Sequence, residues 1–259
     1  MEIDDIKAET KGVIGREIFF YETVGSTNTI ASDLAGKTTE GSVVIANSQQ
    51  KGRGRLGRKW ESPPGVNIYI SIILKPEIES KDATLITVMA VVACATALRR
   101  VTGLHVTIKW PNDLMVSDKK IGGILTELKT DHGRIISAIV GIGINVNVVE
   151  IDTYPADVKE IATSVKNETG ISYSREVVIS EILNEIDYWY KILNRMGKGI
   201  LLLEWQKLTS TLGREVKVTV GKETFTGLAE SIDGEGMLIL RLPSGILKKI
   251  NSGDLTILK

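Results

Sequence analysis

The sequence predicts an α+β protein: a mixed, largely antiparallel sheet with flanking helices, followed by a small C-terminal β barrel. Three observations carry this. Apolar β runs come in groups with helical patterns between them, without the strict strand–helix alternation of a parallel sheet. Two long helical patterns occur, one apolar throughout (Ala83–Leu98) and one amphipathic (Ser174–Met196). From Gly213 onward the chain changes to short β runs divided by glycine-rich turns.

Residues 1–17 carry no strong pattern, and Ile18-Phe19-Phe20-Tyr21 then reads as a strand. Ser26-Thr27-Asn28 stands where a helix is capped, with Gly36 as its end. Strands follow at 43–48 and at Val66–Leu74. In the second, Val66, Ile68, Ile70 and Ile72 alternate with Asn67, Tyr69, Ser71 and Ile73, so one face is wholly apolar and the other mixed. Ala83–Leu98 is uncharged but shorter than the ~20 apolar residues that span a bilayer, so it reads as a buried helix stopped by Gly103. Three more strands are expected at Val106–Trp110, Ile121–Leu128 and Ile135–Asn145, with a turn at Asp131-His132-Gly133. Residues 154–170 read as helical or irregular. Within Ser174–Met196, the residues Ile179, Leu183, Ile186, Tyr190 and Leu193 recur at alternating spacings of 4 and 3. Val216–Val220, Thr224–Ile232, Met237–Leu242 and Gly245–Ile250 then form the barrel, which divides the chain into domains of 1–210 and 211–259.

The bulk properties narrow the function classes. A chain of 259 residues buries a substantial core. Lys+Arg and Asp+Glu balance at 32 each, so no global field favours nucleic acid or an anionic membrane, and any anion binding is local. Cys94 is the sole cysteine, which rules out an internal disulfide framework. The N-terminus is acidic where a secretory leader is basic and then apolar, so the expected compartment is the cytoplasm. Cys94, His105 and His132 are scattered, which argues against a zinc site and against Ser-His-Asp or Cys-His catalysis. No Walker A sequence occurs.

Chemistry concentrates in four motifs. Gly52-Arg53-Gly54-Arg55-Leu56-Gly57-Arg58-Lys59-Trp60 combines guanidinium forks with glycines that let backbone approach a ligand, a composition suited to a polyanion. It spells a dinucleotide fingerprint, but Pro63-Pro64-Gly65 breaks the helix that fingerprint needs. Lys109-Trp110-Pro111-Asn112-Asp113 ends a β run in a turn whose side-chain oxygens suit a ligand or hydrated Mg²⁺, and a plain turn reads the same way. Lys119-Lys120-Ile121-Gly122-Gly123 sets a lysine beside glycines that mark close backbone approach, though a solvated Lys-Lys turn shares those letters. Gly141-Ile142-Gly143-Ile144-Asn145 again puts glycine inside a strand, with an amide at its end that both donates and accepts.

In this order the motifs resemble the biotin–protein ligase family, and Ser26-Thr27-Asn28 resembles that family's substrate-contacting Ser-Thr-Asn. The resemblance covers roughly residues 18–259. It implies a class II synthetase-like catalytic fold and an SH3-like C-terminal barrel. It implies ATP and Mg²⁺ as cofactors, biotin as substrate, and as partner a biotin carboxyl carrier domain whose lysine accepts the biotin. It also implies a homodimer, and a monofunctional form, because too few residues precede Thr23 for a helix-turn-helix. By position, Ser26, Thr27, Asn28 and Gln49 would hold the ureido ring, and Gly52, Arg53 and Gly54 would meet biotin through the loop. Arg53 would lie near the carboxylate and phosphates, Arg55 and Arg58 would grip phosphate, and Trp60 would pack by the adenylate. Lys120 would bridge carboxylate and α-phosphate, Asn112 and Asp113 would position Mg²⁺ or the incoming lysine, and Asn145 would read adenine. Arg55, Asp113 and Lys120 are the catalytic set. Leu56 stands where the family commonly has Arg, and Gly122 where it has Ala. The rival readings are a lipoate or octanoate ligase of related fold, a biotin-responsive repressor, and a non-catalytic nucleic-acid module.

Overall fold

A computed structural model describes residues 1–132, 134–149 and 154–258. The chain runs through α1 (Ile3–Glu9), β1 (Ile18–Val24), α2 (Thr27–Leu34), β2 (Val43–Gln49), β3 (Ile68–Leu74), α3 (Thr84–Thr102), β4 (Thr107–Lys109), β5 (Asp113–Val116), β6 (Lys119–Asp131) and β7 (Arg134–Ile144). It continues through α4 (Ala156–Lys159), α5 (Val165–Thr169), α6 (Arg175–Met196), α7 (Lys198–Leu208), β8 (Glu215–Val220), β9 (Glu223–Ile232), β10 (Leu238–Arg241), β11 (Leu247–Ile250) and β12 (Asp254–Ile257).

Seven strands form one sheet in the order β1-β2-β3-β7-β6-β5-β4. β1 and β2 run parallel and the other described pairs antiparallel, which makes the sheet mixed and largely antiparallel. The parallel pair needs a crossover, and α2 supplies it. The last five strands make a second, wholly antiparallel sheet in the order β11-β10-β9-β8-β12.

The period-2 pattern of β3 decides the two faces of the large sheet. Ile68, Ile70, Ile72 and Leu74 join Val140, Ile142 and Ile144 of β7 on the core face, under α3 and α6. Ile73 turns the other way, with Val44 and Ile139, against Ala31 of α2 and Ala35 at its C-cap. β3 is buried along its whole length, because α2 covers part of the face that the sequence left mixed. α3 is long and apolar enough to cross a membrane by length and composition, yet it is the core helix here, packed on α6, α7 and β6. Gly103 ends it in the left-handed region at φ 72°, its N–H reaching Arg99 O at 3.0 Å.

Some elements depart from the sequence reading. α1 forms within residues read as patternless, and β5, α7 and β12 are added to the predicted set. α2 stops at Leu34 before Gly36, and Ser26 holds the N-cap position without a side-chain capping bond. Gly133 of the predicted turn lies outside the described residues.

Candidate active site

The face of the sheet opposite the core is floored by small residues. Ser71 of β3 pairs with Gly141 of β7, Tyr69 with Gly143, and Gly143 in turn with Gly123 of β6. These positions are glycine because side chains from above occupy the space of a Cβ. At Gly143 a Cβ would come 2.6 Å from the Trp60 indole, and at Gly141 it would meet Asn28 Oδ1 at 2.1 Å. Gly122 faces the core side, where a Cβ would lie 2.6 Å from Ile144 Cδ1, which gives a local reason for glycine there.

The basic motif folds over this floor as a small hairpin. Arg53 bridges to Lys59, Gly54 N–H donates to Arg58 O at 2.7 Å, and Trp60 N–H donates to Gly52 O at 3.0 Å. Its tip is a 3-10 turn at Arg55–Gly57, with Leu56 in the left-handed region at φ 55° and 72% exposed. The guanidinium groups are each held by a named partner. Arg53 donates to Glu127 at 3.2 Å, Arg55 to Asn112 Oδ1 at 3.0 Å, and Arg58 to both carboxylate oxygens of Asp254 at 3.2 and 2.5 Å. Burial lowers the Arg55 pKa from its ordinary value, with Asp113 and Asp254 acting against that shift. The bond to Asp254 raises the Arg58 pKa, and the same bond holds the Asp254 carboxyl below the usual carboxylate range.

Lys120 sits where hairpin and floor meet. Its Nζ lies 2.5 Å from Asp113 Oδ1 and 5.4 Å from the centroid of the Trp60 ring. The backbone of Lys120 is clamped on both sides, its N–H donating to Ile161 O at 2.6 Å and its carbonyl accepting from Thr163 N–H at 2.9 Å. Asp113 Oδ2 faces a second ammonium, Lys109 Nζ at 3.8 Å. Asn112 donates to Ile124 O at 2.6 Å, which aims its oxygen at Arg55. Asn145 donates to Thr163 O at 3.0 Å and accepts from Asn67 at 3.4 Å, which fixes its amide in the cleft wall.

The cleft so formed holds about 820 Å³. It brings together Ser26, Thr27, Asn28, Gln49, Arg53, Gly54, Arg55, Arg58, Trp60, Asn112, Asp113, Lys120 and Asn145. Gly52 is at the base of the hairpin and is not among the cleft's lining residues; a Cβ there would strike Trp60 O at 2.5 Å. Sequence reasoning missed Asp254, Glu127 and Ser71. Asp254 comes from the second sheet, Glu127 ties Asn28 to Arg53, and Ser71 lies under Thr27. Only Ser71 left a signal, as a hydroxyl in the apolar run Ile68–Leu74.

A cationic hairpin closing on a glycine floor makes a cleft suited to an anionic ligand. The chain belongs to the biotin/lipoate A/B protein ligase family: residues 20–145 match it, and residues 211–255 match the biotin protein ligase C-terminal domain. It is 36% identical over 244 residues to the bifunctional ligase/repressor BirA of Bacillus spizizenii, covering 94% of this chain and 74% of that protein. It is 31% identical over 228 residues to the biotin–[acetyl-CoA-carboxylase] ligase of Paracoccus denitrificans, covering 85% and 92%. Among solved structures, the biotin protein ligase of Aquifex aeolicus in complex with biotin and ATP superposes with a TM-score of 0.81 at 30% identity, over 94% of this chain and 99% of that one.

Proposed function

We propose that this protein is a biotin–protein ligase working in two steps. A biotin carboxylate oxygen attacks the α-phosphorus of ATP, the bond to pyrophosphate breaks, and biotinyl-5′-AMP forms. The amine of an acceptor lysine then attacks the adenylate's carbonyl, an amide forms, and AMP leaves. The acceptor is a biotin carboxyl carrier domain of a carboxylase.

The observation that carries the reading is the position of Lys120. A clamped backbone and the Asp113 carboxylate hold its ammonium beside Trp60 at the edge of the glycine floor. There it would offset the charge that builds where carboxylate and phosphate meet. Arg55 and Arg58 would share the remaining phosphate charge, and Arg53 would approach the acid from the hairpin. Trp60 would pack against the adenylate, with Asn145 toward adenine. Thr27 and Gln49 offer polar atoms to a ring at the far end, and Ser26 has a hydroxyl unused in capping. Both oxygens of Asp113 face lysines, so Mg²⁺ would enter on the phosphates of ATP, with Asp113 reaching it only after Lys120 shifts toward substrate. A homodimer in the cytoplasm completes the reading.

Pyrophosphate release from ATP, assayed with biotin and with lipoate in parallel and with Mg²⁺ omitted as a control, tests it. Release with biotin alone supports the proposal. Release with lipoate alone moves the chain to the lipoate branch of its family, and silence of folded protein with both acids overturns the enzyme reading.

A further inference from the structure

We propose that the Tyr154 hydroxyl, seated on Asn67 with its proton turned to the cleft, donates a hydrogen bond to a ring nitrogen of the ATP base. The inference rests on the ligase reading and adds to it a specificity-determining residue for the adenylation step.

Asn67 fixes the direction of hydrogen bonding around Tyr154. It is fully buried at the entry to β3. Its Oδ1 accepts from Val146 N–H at 3.0 Å, which identifies the other amide atom as the nitrogen. Nδ2 donates to Tyr154 Oη at 3.2 Å and to Asn145 Oδ1 at 3.4 Å, so both its protons are used. An amide nitrogen has no lone pair to offer, so Tyr154 is the acceptor in this bond and keeps its own proton. Arg175 steadies the backbone of Asn67, donating to its O at 3.3 Å and to Asn47 Oδ1 at 3.0 Å. The ring of Tyr154 packs with Val66 and Val158 against Val148 and Ala162. Burial pushes its pKa up, with the Asn67 bond acting against that shift, so the hydroxyl stays protonated at neutral pH. Glu61, whose charge adds to that rise, pairs with Lys59 at 2.8 Å. Among the described residues no acceptor takes the Tyr154 proton, and the side chain lines the cleft.

A donor in a wall that a ligand covers needs an acceptor on that ligand, and a C–H in its place leaves the donor unpaired. The lining of the cleft indicates which part of a nucleotide supplies it. Arg53, Arg55, Arg58 and Lys120 bring the positive charge that phosphates need. Tyr154, Asn145, Val158 and Ile161 bring neutral polar atoms and apolar surface instead. That second set suits a flat, uncharged heteroaromatic base, and adenine offers ring nitrogens N1, N3 and N7 as acceptors. Tyr154 and Asn145 rest on the same amide nitrogen of Asn67, so the two side chains meet the base as one unit.

Steady-state kinetics of biotin-dependent pyrophosphate release by the full chain, wild type and Tyr154→Phe, test the proposal. The probes are ATP and its 1-deaza, 3-deaza and 7-deaza analogues, each with one ring nitrogen replaced by C–H. Tyr154→Phe keeps the ring in its apolar cluster and removes the hydroxyl alone. The expected result is a rise in KM for ATP of about tenfold, the scale of one neutral hydrogen bond, with KM for biotin and kcat within about twofold. One deaza analogue should be poorer than ATP for the wild type by a similar factor and lose nothing further in Tyr154→Phe. The other two should lose as ATP does. An unchanged KM for ATP would overturn the proposal. So would equal losses for ATP and all three analogues, the pattern of an Asn67 amide merely displaced. Insensitivity confined to 2′-deoxy- or 3′-deoxy-ATP would move the contact to the ribose and overturn the base assignment. If the variant does not fold, the wild-type series decides, and a common KM for ATP and all three analogues overturns the proposal. A wild type that releases no pyrophosphate with biotin and ATP overturns the ligase reading instead, so the two failures are distinct.

Discussion

At the scale of single residues, charge placement decides what the cleft does. Lys120 pairs with Asp113 and lies beside Trp60, yet Arg53, Arg55 and Arg58 each have their own carboxylate or amide partner. Lys120→Ala therefore leaves the hairpin's own pairs intact and removes the ammonium nearest the floor. Loss of one such electrostatic donor costs about 10²–10³ in rate. We expect a fall of that size in kcat for biotin-dependent pyrophosphate release, with biotin affinity measured by calorimetry changing much less. Equal losses in both would remove the transition-state role. Lys120, the arginines and the Asn112-Asp113 pair were legible in the sequence because each motif is contiguous and its composition states its chemistry. Glu127 was not, and Ser71 showed only as a hydroxyl in an apolar run, because an isolated Ser or Glu in a strand takes its role from a neighbour distant in sequence. Ser71 and Asn28 are 43 positions apart, and Glu127 and Asn28 are 99 apart.

At the scale of elements, β7 shows why glycine is placed where it is. Gly141→Ala would drive a Cβ into Asn28 Oδ1 and push that amide off Ser71, Glu127 and Leu125 O together. Overpacking and an orphaned buried amide each cost about 1–3 kcal/mol, so the melting temperature should fall by several degrees, at about 2–4 °C per kcal/mol for a chain this size. A scanning-calorimetry value within a degree of wild type would count against that packing. The hairpin and β12 meet through Arg58 and Asp254, whose side chains are 64% and 42% exposed. Such a pair contributes about 1 kcal/mol or less to stability. Its pH dependence has a definite sign. Asp254 has a depressed folded pKa, so its contribution is present above the ordinary Asp value near ~3.9 and is lost as pH falls through the lower folded value. We expect the Gly54 and Trp60 amides to exchange faster in Asp254→Asn at pH 7, and wild type to match that variant only in strong acid, once rates are corrected for intrinsic exchange. The long elements α3, α6, β3 and β7 were legible because they carry many periods of their pattern. β5 and β12 have 4 residues each, and the low amphipathicity of α7 gave no periodic signal.

At the scale of the whole molecule, the two sheets share one hydrophobic core. Leu238 and Leu240 of β10 and Val216 and Val218 of β8 belong to the same cluster as α3, α6 and the core face of the large sheet. The change of pattern at Gly213 marks a change of architecture, and a one-dimensional pattern carries no information on whether two sheets are buried against each other. The joint lies at Trp110, which is 1% exposed. Its backbone N–H donates to Thr211 Oγ1 at 2.9 Å and its indole N–H to Gly236 O at 3.4 Å, while Ile108 bridges to Thr209. Thr211 is itself fully buried, so Thr211→Val keeps the shape and orphans the Trp110 N–H. An unsatisfied buried donor costs about 1–3 kcal/mol. If the shared core makes the sheets one cooperative unit, that loss lowers the urea midpoint while the slope stays fixed, and tryptophan fluorescence and far-UV dichroism report a single coincident transition. Two separate transitions in the variant, or a changed slope, would mean that the sheets unfold independently. The Arg58–Asp254 pair would then be a contact between two separately stable bodies instead of a strap within one.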